Sequence, residues 1–299
     1  MRVGIIGLGA MGAAIARRLE QNEEHELVVW NRSAGRAEEF SRRGIAVADS
    51  PADLLSRVDA CVSSLPDGAA VEQVAEQLCA VEATDPPRTW IEMSTIDVAA
   101  SERIAARAEA AGLDYLRAPV SGNPTVVAAG NLTIVSSGPE AALERVRPLL
   151  GAIGPNLFHV GPAEHARVMK LALNLMISAT NQMLAEALAL GEANGLRRAQ
   201  MLEIISASAV GSPFVKYKAG PLAEDDYTST FSAALMAKDL DLILACAADG
   251  GVPVPATEAG RQVIQDCLDA GLGELDLSVV LPLLRRQAGL ADALPDPPG

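Results

Sequence analysis

Aromatic residues are scarce in this chain, 3% of 299 residues, so its core has to be aliphatic and close-packed, drawn from the Ala, Leu and Val that dominate an apolar fraction of 49%. Cysteine is rarer still. Cys61, Cys79, Cys246 and Cys267 show no CxxC spacing, which excludes a disulfide scaffold and points to reduced thiols. His25, His159 and His165 form no HxxxH-like set, so no bound metal is expected. Positive charge is also short. A net charge of -14 argues against a nucleic-acid partner, although a small anionic ligand needs only a few local donors. No apolar run reaches membrane-spanning length, so no membrane partner is expected. The chain passes from Met1-Arg2 straight into a strand-like segment, leaving no room for a signal peptide, and a cytoplasmic location is the expectation.

What is present is a change of texture. Up to about residue 160, apolar runs alternate with Ala-rich helical patterns, the signature of parallel βαβ units. Strands are predicted at Val3–Ile6, Leu27–Trp30, Ala60–Ser64, Thr89–Met93, Tyr115–Arg117 and Leu132–Ser136. Helices are predicted at Met11–Gln21, Val71–Ala80 and Ala99–Ala110. After Gly161-Pro162 helical patterns dominate: a long breaker-poor segment to Gly195, then Asp239–Ala248, Ala256–Ala270 and Leu277–Gln287. The expected organisation is an α/β Rossmann-type domain over 1–161, an all-α domain over 162–290 joined to it by a long helix, and a flexible tail over 291–299.

The first strand runs into Gly7-Leu8-Gly9-Ala10-Met11-Gly12 and then a helix. Gly7 permits the tight turn, Gly9 lets backbone approach a pyrophosphate, and Gly12 lets helix pack on strand. The helix N-terminus offers N–H groups to the phosphates. A lone GxGxxG is weak, but its place between strand and helix points to a dinucleotide. NAD sites usually end the second strand in Asp or Glu. Here the residues are Asn31-Arg32-Ser33, and Arg32 offers charged donors to a 2′-phosphate while Asn31 and Ser33 add neutral ones, so NADP(H) is expected. A solvated loop arginine is the plainer reading of Arg32. Three more strand ends, Ser64-Leu65-Pro66-Asp67, Met93-Ser94-Thr95 and Ala118-Pro119-Val120-Ser121-Gly122, should share the edge of the glycine loop.

Within Val168–Ile177, Lys170 and Asn174 are the only polar residues, four apart and so on one helix face, with Ser178 and Asn181 extending the stripe. Apolar surroundings disfavour an ammonium and tune a lysine toward proton transfer. Hydride transfer to a carbonyl needs a proton donor, and Lys170 is the candidate, with Asn174 fixing its head group or the substrate hydroxyl. From spacing alone, an ordinary amphipathic stripe explains the pattern equally well.

Taken together, Gly7-x-Gly9-x-x-Gly12, Leu65-Pro66, Ser94-Thr95, Pro119-Val120-Ser121-Gly122, Lys170-x-x-x-Asn174 and Lys238-Asp239-Leu240 resemble the β-hydroxyacid dehydrogenases, in order and over nearly the whole chain to about residue 285. That family includes 3-hydroxyisobutyrate dehydrogenases and tartronate, succinic and glyoxylic semialdehyde reductases. The resemblance implies NADP-dependent interconversion of a short 3-hydroxy acid and its semialdehyde, with Lys170 as acid/base and Asn174 beside it. It also implies that Ser121, Gly122 and Asn123 hold a small-molecule carboxylate, that Thr95 and Lys238 approach the nicotinamide half, and that Phe231 packs close by. A homodimer or homotetramer formed through the helical part is implied too. Departures fall at Arg117, Asn123, Val126 and Leu173, where the family usually has Asp, Gly, Gly and Asn. Two other readings remain open, an imine reductase and a non-catalytic NADP-binding sensor. Imine reductases usually lack the lysine, and a sensor tends to lose the proton donor.

Overall fold

Apolar runs fold as strands where both of their faces are covered, and the computed structural model describes residues 1–22, 24–291 and 293–296. Of the expected tail, Asp292 and residues 297–299 lie outside the described residues. The chain divides into two compact units, Met1–Lys170 and Leu171–Gly299.

The first unit is built on six parallel strands: β1 (Arg2–Ile6), β2 (Glu26–Trp30), β3 (Ala46–Val47), β4 (Ala60–Ser63), β5 (Thr89–Glu92) and β6 (Asp114–Arg117), ordered β3-β2-β1-β4-β5-β6. This is the doubly wound dinucleotide-binding order. Every residue of β4 and β5 is buried, as expected of parallel strands with helices on both faces. The register aligns the last residues of five strands, Trp30, Ile6, Ser63, Glu92 and Arg117, in one row. The turns that follow therefore all leave from the same sheet edge.

One strand departs from the parallel pattern. The segment predicted at Leu132–Ser136 forms β8 (Thr133–Ser136), which does not join the large sheet. It pairs antiparallel with β7 (Val120–Ser121) and parallel with β9 (Asn156–His159). Pro119 has no N–H to continue a ladder, and the chain turns there so that Arg117 and Ser137 meet in an antiparallel bridge.

The helix His165–Ala193 begins in the first unit and continues into the second, where Arg198–Ala207, Pro213–Ala223, Ala233–Asp249, Pro255–Asp269 and Val280–Gln287 follow. The first two of these five were not predicted. Pro213, Gly220 and Pro221 read as breakers, yet Pro213 sits in the first turn behind the Ser212 cap, whose Oγ accepts from the Val215 amide at 3.2 Å. Inside this unit Asp276 accepts from buried Lys218 Nζ at 2.6 Å, from the Thr230 amide at 3.1 Å and from the Ser278 amide at 3.0 Å. One carboxylate thus ties three segments together. Among the described residues no helix is long and apolar enough to cross a membrane, and Cys61, Cys79 and Cys267 are free thiols.

Candidate functional site

Helix starts along the common edge differ in a way that matters for ligands. After β4 and β5 the first turns are capped by Asp67 and Asp97, each accepting from an amide three residues on at 2.8 Å. After β1 the cap is Gly9, and no side chain covers the first turn of Ala10–Glu20. Its N–H groups point outward at the positive end of a helix dipole, an arrangement suited to a pyrophosphate. Gly7 has φ +90°, and a Cβ there would stand 2.4 Å from the Ser64 carbonyl. A Cβ on Gly12 would meet the Gly7 carbonyl at 1.8 Å. Both glycines are therefore fixed by geometry, and the residues present fit a dinucleotide.

Of the site residues predicted in the first unit, Leu8, Asn31 and Ser33 are joined by hydrogen bonds, and Leu65 is joined to Ser94 beside Thr95. Asn31 Oδ1 accepts from the Leu8 amide at 2.8 Å, and its Nδ2 donates to the Ser33 carbonyl at 2.9 Å. Asn31 thus braces the glycine turn from the position where a carboxylate would otherwise stand. The Leu65 amide donates to Ser94 Oγ at 2.8 Å, joining the Leu65-Pro66 turn to Ser94-Thr95. Arg32 is exposed and makes no ion pair among the described residues. A cleft of about 380 Å³ opens beside Leu8, Gly9, Ala10 and Ala13, walled by Arg17, Arg36 and Glu39. Hydrogen bonding from Arg17, 2.7 Å to each oxygen, and the charge of Arg43 hold Glu39 below its ordinary carboxylate range, so it stays ionised and neutralised. Arg36 was not foreseen. Its Nη1 lies 3.7 Å from where a Cβ on Gly9 would stand, and an arginine four residues after Arg32 was the available signal.

Ser121 lies in β7, and Gly122 follows at φ +141°, where a Cβ would meet Leu132 at 2.8 Å and Val126 at 3.0 Å. Asn123 caps the short helix Pro124–Ala128, its Oδ1 accepting from the Val126 amide at 3.0 Å. Where the resemblance leads to Gly, Val126 packs on the core, and Asn123 supplies the local cap. Arg117 is explained as well. It is buried, donates from Nε to Glu164 Oε1 at 2.7 Å and lies 5.0 Å over the Tyr115 ring. Nothing in the structure explains Leu173.

Lys170 is half-buried on the long helix. In the second unit the predicted stripe continues as Asn174, Ser178 and Asn181, all buried, and Asn181 donates to the Leu277 carbonyl at 3.0 Å. Asn174 donates to Asp239 Oδ2, and Lys238 Nζ lies 2.9 Å from Asp239 Oδ1. Phe231 is half-buried, its carbonyl accepting from the Leu277 amide at 2.9 Å. Sequence reasoning gave Lys238 a role and Asp239 none, although both belong to one motif; the signal was an acid inside an apolar helix.

Comparison with known proteins agrees with this geometry. The profile described as the NAD binding domain of 6-phosphogluconate dehydrogenase matches residues 2–161, and that of NAD-binding of NADP-dependent 3-hydroxyisobutyrate dehydrogenase matches residues 165–284. The chain is 34% identical to the NAD-dependent L-serine dehydrogenase of Pseudomonas aeruginosa, over 96% of this chain and 99% of that protein. It is 28% identical to glyoxylate/succinic semialdehyde reductase 1 of Arabidopsis thaliana, over 95% and 99%. Among solved structures, 3-hydroxyisobutyrate dehydrogenase from Salmonella typhimurium superimposes with a TM-score of 0.85 at 26% identity, covering 95% of this chain and 99% of the other.

Proposed function

The chain belongs to the β-hydroxyacid dehydrogenase family of nicotinamide-dependent oxidoreductases, and from that premise we propose that it interconverts a short 3-hydroxy acid and the matching semialdehyde with NADP(H). The bound nicotinamide supplies or receives the hydride. Lys170 Nζ gives a proton to the substrate oxygen as the carbonyl is reduced, and takes it back in oxidation. Asn174 orients the amine or the hydroxyl, Ser121 and the Gly122 amide receive the carboxylate, and Asn123 shapes that turn. Thr95, Lys238 and Phe231 are the residues that would hold the nicotinamide half. The observation that carries this reading is the buried Asn174 on the Lys170 face, held by an equally buried acid. A polar pair of that kind inside an apolar helix face has no simple packing reason.

Preference for the 2′-phosphorylated cofactor is supported by Arg32 and Arg36, by the neutralised Glu39, and by Asn31 standing where a carboxylate would repel phosphate. Met176, Met183 and Leu190 lie seven residues apart on the long helix, exposed at 65%, 61% and 68%. That spacing suits a second copy of the same helix, and a homo-oligomer is the occupant we assign. The free thiols of Cys61, Cys79 and Cys267 fit a cytoplasmic setting. The test is to mix the purified protein with NADPH and a panel of short aldehyde acids. Consumption of NADPH with at least one is expected, and none with any would overturn the proposal.

A further inference from the structure

Arg167 lies one helical turn before Lys170, so the two side chains leave neighbouring faces of the helix. It is 1% exposed, and its guanidinium is held on three sides. Nε donates to Ser101 Oγ at 3.1 Å, Nη1 to the Ser94 carbonyl at 2.6 Å, and Nη2 to the Tyr115 hydroxyl at 3.0 Å and to Glu92 Oε2. Glu92 is fully buried at the end of β5, and its Oε1 accepts from the Ser94 amide at 2.8 Å. Ser94 Oγ in turn accepts from the Leu65 amide. Trp90 closes the floor, donating to Ser63 Oγ at 2.8 Å and meeting the Tyr115 ring edge-on at 4.9 Å.

Two features set this apart from ordinary packing. An isolated charge is expensive to bury, and a hydrophobic pair of the same volume would stabilise the unit as well or better. A rigid, planar fork is also the side chain that fixes direction. Here it joins the first turns of the Lys170 helix to both turns, Leu65-Pro66 and Ser94-Thr95, that border the candidate cofactor position. We propose that Arg167 and Glu92 are positioning residues, a buried brace that fixes the Lys170 amine relative to those two turns. This rests on Lys170 being the acid/base.

The chain has four lysines, Lys170, Lys216, Lys218 and Lys238, which makes the brace directly observable. Reductive methylation of the full chain with 13C-formaldehyde gives a dimethyl-lysine signal at Lys170, Lys216 and Lys238, whereas Lys218 is buried against Asp276. In Arg167→Met and Glu92→Gln the Lys170 signal is expected to move while those of Lys216 and Lys238 hold still. In kinetics with NADPH and an accepted semialdehyde, Arg167→Met should lower kcat by about 10²-fold, the effect of misplacing a catalytic group by about an ångström. KM and the NADPH Kd should stay within about threefold, and Arg167→Lys should recover part of kcat. Should Arg167→Met not fold, Glu92→Gln and Arg167→Lys decide by the same readouts. An unmoved Lys170 signal with unchanged kcat overturns the brace, and so does equal loss of kcat and cofactor binding. The signal is read without turnover. A wild-type chain that reduces nothing, with the signal moving as described, would refute the acid/base assignment and leave the brace standing.

Discussion

Asn174 Nδ2 donates to Asp239 Oδ2 at 2.5 Å, and the two side chains are 2% and 1% exposed. The other oxygen of that carboxylate faces Lys238 Nζ at 2.9 Å. One buried acid therefore sets the direction of two side chains, one assigned to the substrate and one to the cofactor. In the proposed mechanism Asp239 acts through these neighbours, as a positioning residue.

Asp239→Asn keeps the shape and removes the charge. A hydrogen bond to a charged group is worth about 1.5–3 kcal/mol, so kcat/KM should fall by roughly 10- to 100-fold. Steady-state kinetics decides, and activity within about twofold of wild type would show that Asn174 needs no charged partner.

Lys170→Ala should lower kcat by ~10²–10⁴, the range for losing a general acid/base, while fluorescence titration gives an NADPH Kd within a few-fold of wild type. Retention of most of the activity would move the proton transfer to another group.

Arg32→Ala and Arg36→Ala should each weaken NADPH by about tenfold or more and leave NADH nearly unchanged, because only the former carries the 2′-phosphate. Equal losses for the two cofactors would place both arginines outside the phosphate site.

Acid should destabilise the second unit through Asp276. Burial pushes this carboxyl up, but the Lys218 charge and the hydrogen bonds from Lys218 and Ser278 outweigh it and hold it below the ordinary value. A group depressed in the folded state stabilises above its unfolded pKa, and that contribution is lost as pH falls through the folded value. Wild type should therefore lose melting temperature steeply below about pH 4, whereas Asp276→Asn should start lower at neutral pH and fall less. Parallel melting curves against pH for the two proteins would contradict this.

Met183→Glu with Leu190→Glu should reduce the mass in light scattering to that of one chain. Placing carboxylates in an apolar seam is strongly unfavourable, whereas exposed positions tolerate them. An unchanged mass would put the contact on another face.

The short strands β3, β7 and β9 were not predicted, but the sequence by itself determined β1, β2, β4, β5 and β6, the glycine turn and the polar stripe on the long helix. Each of these is local: a short apolar run, a fixed spacing of glycines, or a four-residue interval is written along the chain. Arg36, Glu92, Arg167 and Asp239 were decided only by tertiary structure, because each acquires its meaning from a partner brought close by folding. The same holds for β8, whose apolar run reads like any parallel strand until Pro119 turns the chain and sends it to a different sheet. Arg117 read as a departure from pattern, and only its burial against Glu164 and Tyr115 gave it a reason. Periodicity records which faces are buried, whereas the identity of what lies across the interface is a property of the folded chain.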